Sequence, residues 1–123
     1  MQKILVISNS VSCSPLLIDF LRLNGFQVSE IDDRQPIMDL ISRESPRLVL
    51  FDLPLDKTSG FAQCQAIRAS SNIPIILISL SASQKERHQG FHCGADDFVC
   101  KPFSLSELLL RIKSVLKRSA NRD

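Results

Sequence analysis

Residues 47–53, RLVLFDL, contain the run on which the reading of the fold turns. Leu48–Phe51 is too short for a helix and is apolar at every position rather than at alternate ones. A strand of that kind presents neither face to water, as in a parallel sheet covered by helices on both sides. It ends on the carboxylate Asp52.

Four further runs, Lys3–Ile7, Val28–Ile31, Ile73–Ile78 and Phe98–Val99, are likewise too short for a helix and bounded by polar or turn residues. Between them the apolar spacing changes to three and four. Leu16, Leu17, Phe20, Leu21 and Leu23 predict a first helix, with Ser14-Pro15 as N-cap and N1 and Gly25 as its stop. Ile37, Met38, Leu40 and Ile41 predict a second after Pro36, and Phe61, Cys64 and Ile67 a third opened by Gly60, with Cys64 as a small apolar filler. The fourth, Ser83 to Cys93, is polar and interrupted by Gly90, which costs about 1 kcal/mol against Ala, so it should be mobile or lean on a partner. The fifth opens on a capping box, Ser104 with Glu107, and carries Leu105, Leu108, Leu109, Ile112, Val115 and Leu116 before the basic turn Lys113, Lys117, Arg118. Five strands alternating with five helices require right-handed crossovers, hence an α/β doubly wound parallel sheet. The domain is expected over residues 1–118, with 119–123 as the start of a linker in the basic, polar ending KRSANRD.

Composition narrows the function. At 123 residues, 44% hydrophobic and 23% charged, the chain is one globular domain and not a disordered one. Fifteen basic against thirteen acidic residues give +2, too near neutral for nucleic-acid binding by bulk electrostatics. Seven Phe with no Trp or Tyr leave few amphipathic aromatics for stacking bases or sugars. No apolar run approaches the ~20 residues of a membrane span, and no signal pattern opens the chain, so a cytoplasmic protein without membrane contact is expected. Cys13, Cys64, Cys93 and Cys100 form no CxxC pair and are expected as reduced thiols.

In an open doubly wound sheet the ligand site lies beyond the C-terminal strand ends. Ser8-Asn9-Ser10, Asp52, Ser79 and Lys101-Pro102 fall there. A carboxylate, a hydroxyl and an ammonium on one edge suit a small anion or a phosphoryl group, with Asp52 as nucleophile, Ser79 as donor and Lys101 as counter-charge. KILVIS, RLVLFDL with Gly60-Phe61 eight and nine residues after Asp52, IPIILIS and GADDFVCKPF together resemble the receiver domain of bacterial response regulators, over about residues 3 to 118. The resemblance implies the flavodoxin/CheY-like strand order 2-1-3-4-5. It further implies Asp52 as phosphoacceptor, Ser79 and Lys101 as phosphoryl-site partners, a cis Lys101-Pro102 bond, and a switch made by Ser79 and Phe98, whose ring turns inward as Ser79 moves.

One departure bears directly on the chemistry. The family holds Mg²⁺ on adjacent acidic residues after strand one, where this chain has Ser8 and Asn9. Mg²⁺ prefers carboxylates, and each charge pair at ~4 Å is worth about 4 kcal/mol at an effective dielectric of 20. At most weak Mg²⁺ binding at Asn9, Asp52 and the Pro54 carbonyl is expected, and no other cofactor. Asp56, beside Lys57, could supply a substitute carboxylate but reads first as a solvated loop charge, and Asp32-Asp33 end strand two, across the edge from Asp52. Asp52 and Lys101 balance each other without a metal, so slow, weak or absent phosphorylation is expected.

The stretch GADDFVCKPFSLSELLLRIKSVLKRS is similar to receivers of the winged-helix (OmpR/PhoB) class of transcription factors, which dimerise through the fourth helix, fifth strand and fifth helix. Arg87, Asp96, Asp97, Glu107, Arg111 and Arg118 match charged positions of that face, and the bland alternative is a set of local salt bridges. The resemblance implies a homodimer, a sensor histidine kinase or another regulatory protein as partner, and DNA contact only through a fused C-terminal domain. A constitutive interaction module that has left the phosphorelay is the alternative. An enzyme such as a phosphatase or flavin carrier ranks third, because Ser8-Asn9-Ser10-Val11 is no Gly-rich phosphate loop. His88 and His92, four apart beside Cys93, read as surface or half-buried residues rather than metal ligands, and Cys13 and Cys100 as packing thiols rather than a redox pair.

Overall fold

The computed structural model describes residues 2–8, 15–32, 34–53, 57–80 and 83–120, leaving aside the side chains of Lys57 and Thr58. The chain runs β1 (Lys3–Ser8), α1 (Pro15–Leu23), β2 (Gln27–Asp32), α2 (Ile37–Glu44), β3 (Leu48–Asp52), α3 (Lys57–Ser70), β4 (Ile75–Ser79), α4 (Gln84–His92), β5 (Asp97–Cys100), α5 (Leu105–Ser119). The strands pair in parallel in the order β2-β1-β3-β4-β5. This is the doubly wound sheet that the apolar strands require.

Alternation along the strands sorts the core into two layers. Ile4, Val6, Leu48, Leu50, Ile76, Ile78 and Val99 face α1 and α5, where Leu17, Leu21, Leu108 and Ile112 meet them. Leu5, Ile7, Val49, Phe51, Ile75, Leu77 and Phe98 face α2 and α3, against Leu40, Ile41, Cys64 and Ile67. Each such side chain contributes about 1.5–3 kcal/mol by leaving water. Cys64 is fully buried as expected of a filler, and its burial pushes the thiol up to about 11.

β1, β2, β3 and β5 extend one residue beyond the expected runs at one or both ends, and three other element ends differ for identifiable reasons. β4 begins at Ile75 rather than Ile73, because Pro74 has no N–H for a ladder, although its carbonyl still accepts from Val49 N–H at 2.9 Å. α3 begins at Lys57, so Gly60 is its fourth residue and not its opener; the first turn, KTSG, has no apolar side chain through which periodicity could register it. α5 continues through Ser119, one residue into the expected linker, with Lys117 and Arg118 in its last turn as the basic turn implies. Cations there complement the helix dipole.

The caps are also exchanged. At α5 the Ser104 hydroxyl accepts from Glu107 N–H at 3.0 Å, but the Glu107 carboxylate turns to Arg111. The reciprocal box is at α4, where Ser83 Oγ accepts from Glu86 N–H and Glu86 Oε1 accepts from Ser83 N–H. Ser14 lies outside the described residues, and Pro15 is the first residue of α1. Gly25, at φ +92°, takes the left-handed conformation that ends that helix.

α4 leans on β5. Its one buried residue is Gly90, where a Cβ would stand 2.7 Å from Phe98 Cδ2. One turn earlier, Arg87 lies 5.6 Å above the Phe98 ring and donates to Cys100 Sγ. The glycine that interrupts the helical pattern is what allows the Phe98 ring to pack against the helix backbone.

Candidate functional site

Among the described residues, the buried polar and charged residues are Ser8, Asp52 and Ser79. They end β1, β3 and β4 at one edge of the sheet. Burying polar groups costs free energy that folding alone does not recover, so their gathering marks a site. Lys101, just after β5, completes it. Its Nζ donates to Asp52 Oδ2 at 3.0 Å, and its backbone N–H donates to the Ser79 carbonyl at 2.7 Å. The Lys101-Pro102 bond is cis, as the resemblance implies.

The sheet divides these groups between its faces. Ser8 continues the Ile4, Val6 row and Asp52 the Leu48, Leu50 row, both toward α1 and α5. Ser79 continues Ile75 and Leu77 toward the other layer, in register with Cys100, while Leu77 is in register with Phe98. Ser79 therefore stands on the side of Phe98 and α4, next to the edge that Asp52 and Lys101 occupy from the opposite face.

Asn9, Cys13, Asp33, Pro54 and Asp56 lie outside the described residues. Asp32 is in register with Ser8, but its carboxylate accepts from Arg34 N–H at 2.7 Å and from the Arg34 guanidinium at 2.8 Å, which hold it below the usual carboxylate range. His88 and His92 are exposed on α4. No group of three His, Cys, Asp or Glu gathers among the described residues. Cys64 Sγ donates to the Cys93 carbonyl at 3.8 Å, and burial raises the Cys93 thiol.

Charged residues of β5 and α5 pair within the chain. Arg111 Nη1 donates to Asp97 Oδ1 at 3.0 Å and Nη2 to Glu107 Oε1 at 3.3 Å; the Asp97 bond is the main reason its pKa is raised. Arg118 is exposed in the last turn of α5. Asp96, grouped with that face in the sequence, is engaged on the opposite side. Its Oδ2 accepts from Arg68 Nη2 at 3.1 Å and from Ile75 N–H at 2.9 Å, because neighbouring residues of an extended chain point opposite ways. Arg68, which also donates to the Gly94 and Ser71 carbonyls, carries no motif that sequence reasoning could have used.

A cavity of about 390 Å³ adjoins the Asp52–Lys101 pair on the α1/α5 face. On α1, PLLIDFLRL, Leu16 and Leu23 stay exposed.

Residues 4–113 match the family described as response regulator receiver domain. The chain is 38% identical over 117 residues to "Probable transcriptional regulator ycf27" of Porphyridium aerugineum, a match covering 95% of this chain and 49% of that protein. It is 34% identical over 116 residues to "Transcriptional regulatory protein BaeR" of Escherichia coli, covering 94% and 48%. The chain thus spans about half the length of these relatives. The BeF3-activated N-terminal receiver domain of RstA from Klebsiella pneumoniae is similar at a TM-score of 0.85 and 25% identity, covering 94% of this chain and 99% of that one. Among the described residues no helix is long and apolar enough to cross a membrane. With five parallel strands in the order 2-1-3-4-5, and a family match that spans nearly all of them, the chain belongs to the response regulator receiver domain family.

Proposed function

We propose that the chain is the regulatory segment of a longer transcriptional regulator, that its output passes through a two-fold α4-β5-α5 contact, and that phosphoryl transfer to Asp52 is slow, weak or absent. The relatives named as transcriptional regulators are about twice as long, which supports a DNA-binding segment elsewhere in the whole protein. A sensor histidine kinase or another regulatory protein is the partner the family implies.

The carrying observation is the Asp52–Lys101 pair with Ser8 buried beside it. One carboxylate faces one ammonium, and the next strand end contributes a neutral hydroxyl. Mg²⁺ demands near-octahedral oxygen ligands and strongly favours carboxylates. Among the described residues the edge offers it Asp52, whose Oδ2 already accepts from Lys101, and Asp32, which Arg34 holds, so the described donor set does not fit the ion. A phosphoryl group would bring about two negative charges to one lysine.

The output face has support of its own. Arg87, Asp97, Glu107, Arg111 and Arg118 place both signs of charge on α4, β5 and α5, beside the exposed apolar side chains of Phe91 and Leu110. Charges of both signs together with exposed apolar side chains suit a self-complementary contact.

One observation favours the alternative, a constitutive interaction module. Phe98 is 1% exposed with Asp52 unmodified, held between Gly90 and Arg87. Turning the ring outward costs about 1.5–3 kcal/mol of burial, and Phe has no hydroxyl to offer water. The inward state therefore needs no phosphoryl group.

Sedimentation equilibrium of the full chain, with and without Mg²⁺ and beryllofluoride, tests these readings together with amide NMR at Asp52, Ser79 and Lys101. A dimer whose affinity ignores both additions, with no saturable shift at Asp52, is expected. Saturable shifts that spread to α4 and tighten the dimer would overturn the claim of weak phosphorylation.

A further inference from the structure

We propose that the cavity beside Asp52 and Lys101 is a binding site for a small amphipathic monocarboxylate. The inference concerns neither phosphoryl transfer nor dimerisation, and its test can be read whichever way those turn out.

The cavity opens between the N-terminal ends of α1 and α5, above the strand ends of the α1/α5 face. Leu16 and Leu17 wall it on one side and Phe103 and Leu105 on the other, with Leu50 and Ile78 as its floor. Its volume of about 390 Å³ lies within the range of roughly 300–1,000 Å³ found for small-molecule sites, which are likewise apolar with a few convergent polar groups. Leu16 is 71% exposed, so an apolar ligand would remove from water a surface that folding leaves there.

The charged end selects the head group. The Lys101 side chain is 26% exposed and that of Asp52 only 5%, so a group entering from the solvent side meets the ammonium before the carboxylate. An ammonium has three donors, of which one is committed to Asp52 Oδ2. The others suit an acceptor, and an anionic acceptor makes the stronger bond. One negative charge is the most the head group can carry, because among the described residues lining the cavity Lys101 is the one cation and Asp52 already shares it. The apolar walls then take an alkyl or aromatic body.

The test is an amide NMR and calorimetric titration of the full chain with hexanoate, octanoate and decanoate, with decanol as the neutral control. Saturable shifts are expected at Leu17, Ile78, Lys101 and Phe103, with affinity rising about two- to fourfold per added methylene. Decanol should bind about tenfold more weakly than decanoate, and Leu16→Asp, a change at an exposed position, should weaken decanoate by about tenfold or more. Lys101→Met should bring decanoate down to the affinity of decanol. The proposal is overturned by the absence of saturation, by shifts that map away from the cavity, or by decanoate affinity that neither Leu16→Asp nor loss of the charge changes.

Discussion

Replacing Gly90 by Ala sets two known effects against each other, and the structure says which prevails. On an ordinary helix the exchange stabilises by about 1 kcal/mol, because Gly loses more backbone freedom on folding. Here the new Cβ would stand 2.7 Å from Phe98 Cδ2, 2.9 Å from Phe98 Cε2 and 3.1 Å from Leu77 Cδ1. Carbon pairs are most favourable at about 3.5–4.0 Å, so the methyl intrudes by about 0.8 Å or more. The ring cannot simply yield, since Phe98 is buried and Leu77, its register partner on β4, lines the same gap. Overpacking of this kind costs about 1–3 kcal/mol, which leaves a net loss of about 1 kcal/mol. Urea unfolding followed by far-ultraviolet circular dichroism measures it. Phe98→Leu alone destabilises by opening a cavity, but in the double variant the Ala methyl enters the vacated space, so the pair should couple favourably by about 1–2 kcal/mol. If Gly90→Ala stabilises by its full propensity and the double variant is merely additive, the account of α4 resting on Phe98 is wrong.

Arg68→Ala removes the donors to Gly94, Ser71 and Asp96 and should cost about 2 kcal/mol in urea unfolding, less than the 3–5 kcal/mol of a fully buried pair because the side chain is 22% exposed; a loss under about 0.5 kcal/mol would refute the clamp. Burial holds the Cys64 thiol at about 11 against an ordinary 9.0, so the folded state keeps its proton longer than the unfolded one. That contribution is complete below about pH 9 and is lost as pH rises toward 11; Cys64→Ala should flatten this decline, and an unchanged pH profile would count against it. Arg111→Ala breaks the pairs with Asp97 and Glu107 at a half-exposed position, so a loss of about 0.5 kcal/mol that shrinks at about 1 M salt is expected, and a large salt-independent loss would show packing instead.

What could be read in the sequence was what depends on a residue's own neighbours in the chain. The continuous apolar run Leu48–Phe51 and the broad face of α5 identify buried elements because period and burial are properties of a segment. Asp52 and Lys101 were legible at one remove, since parallel topology alone carries both strand ends to one edge. α4 was legible in its extent, Ser83 and Cys93 being its caps, but not in what it leans on, because Gly90 meets a ring eight positions onward on another element. Neither was the division of Asp96 from Asp97: adjacent and identical, they part only when β5 begins and fixes which side each faces. The start of α3 escaped for the converse reason, its first turn having no apolar residue to carry the period. The cavity escaped as well, since an exposed Leu16 is ordinary until Phe103 and Leu105 are seen across from it.

The partition of the edge groups between the two faces of the sheet limits how any occupant of the site can be felt elsewhere. Asp52 and the cavity lie toward α1 and α5, whereas Phe98, Gly90 and α4 lie on the far side of a close-packed sheet. Direct contact between them is barred by the strands themselves. The path that remains is along the edge: Lys101 Nζ holds Asp52, its backbone N–H holds the Ser79 carbonyl, and Ser79 is paired in register with Cys100, on whose sulfur Arg87 rests above Phe98. An anion that draws the Lys101 ammonium away from Asp52, whether a phosphoryl group or a carboxylate, pulls on this chain at the same link. On both proposals the anion meets one residue: Lys101, whose ammonium holds Asp52 and whose backbone N–H holds the Ser79 carbonyl, is the link through which it would reach the proposed α4-β5-α5 face.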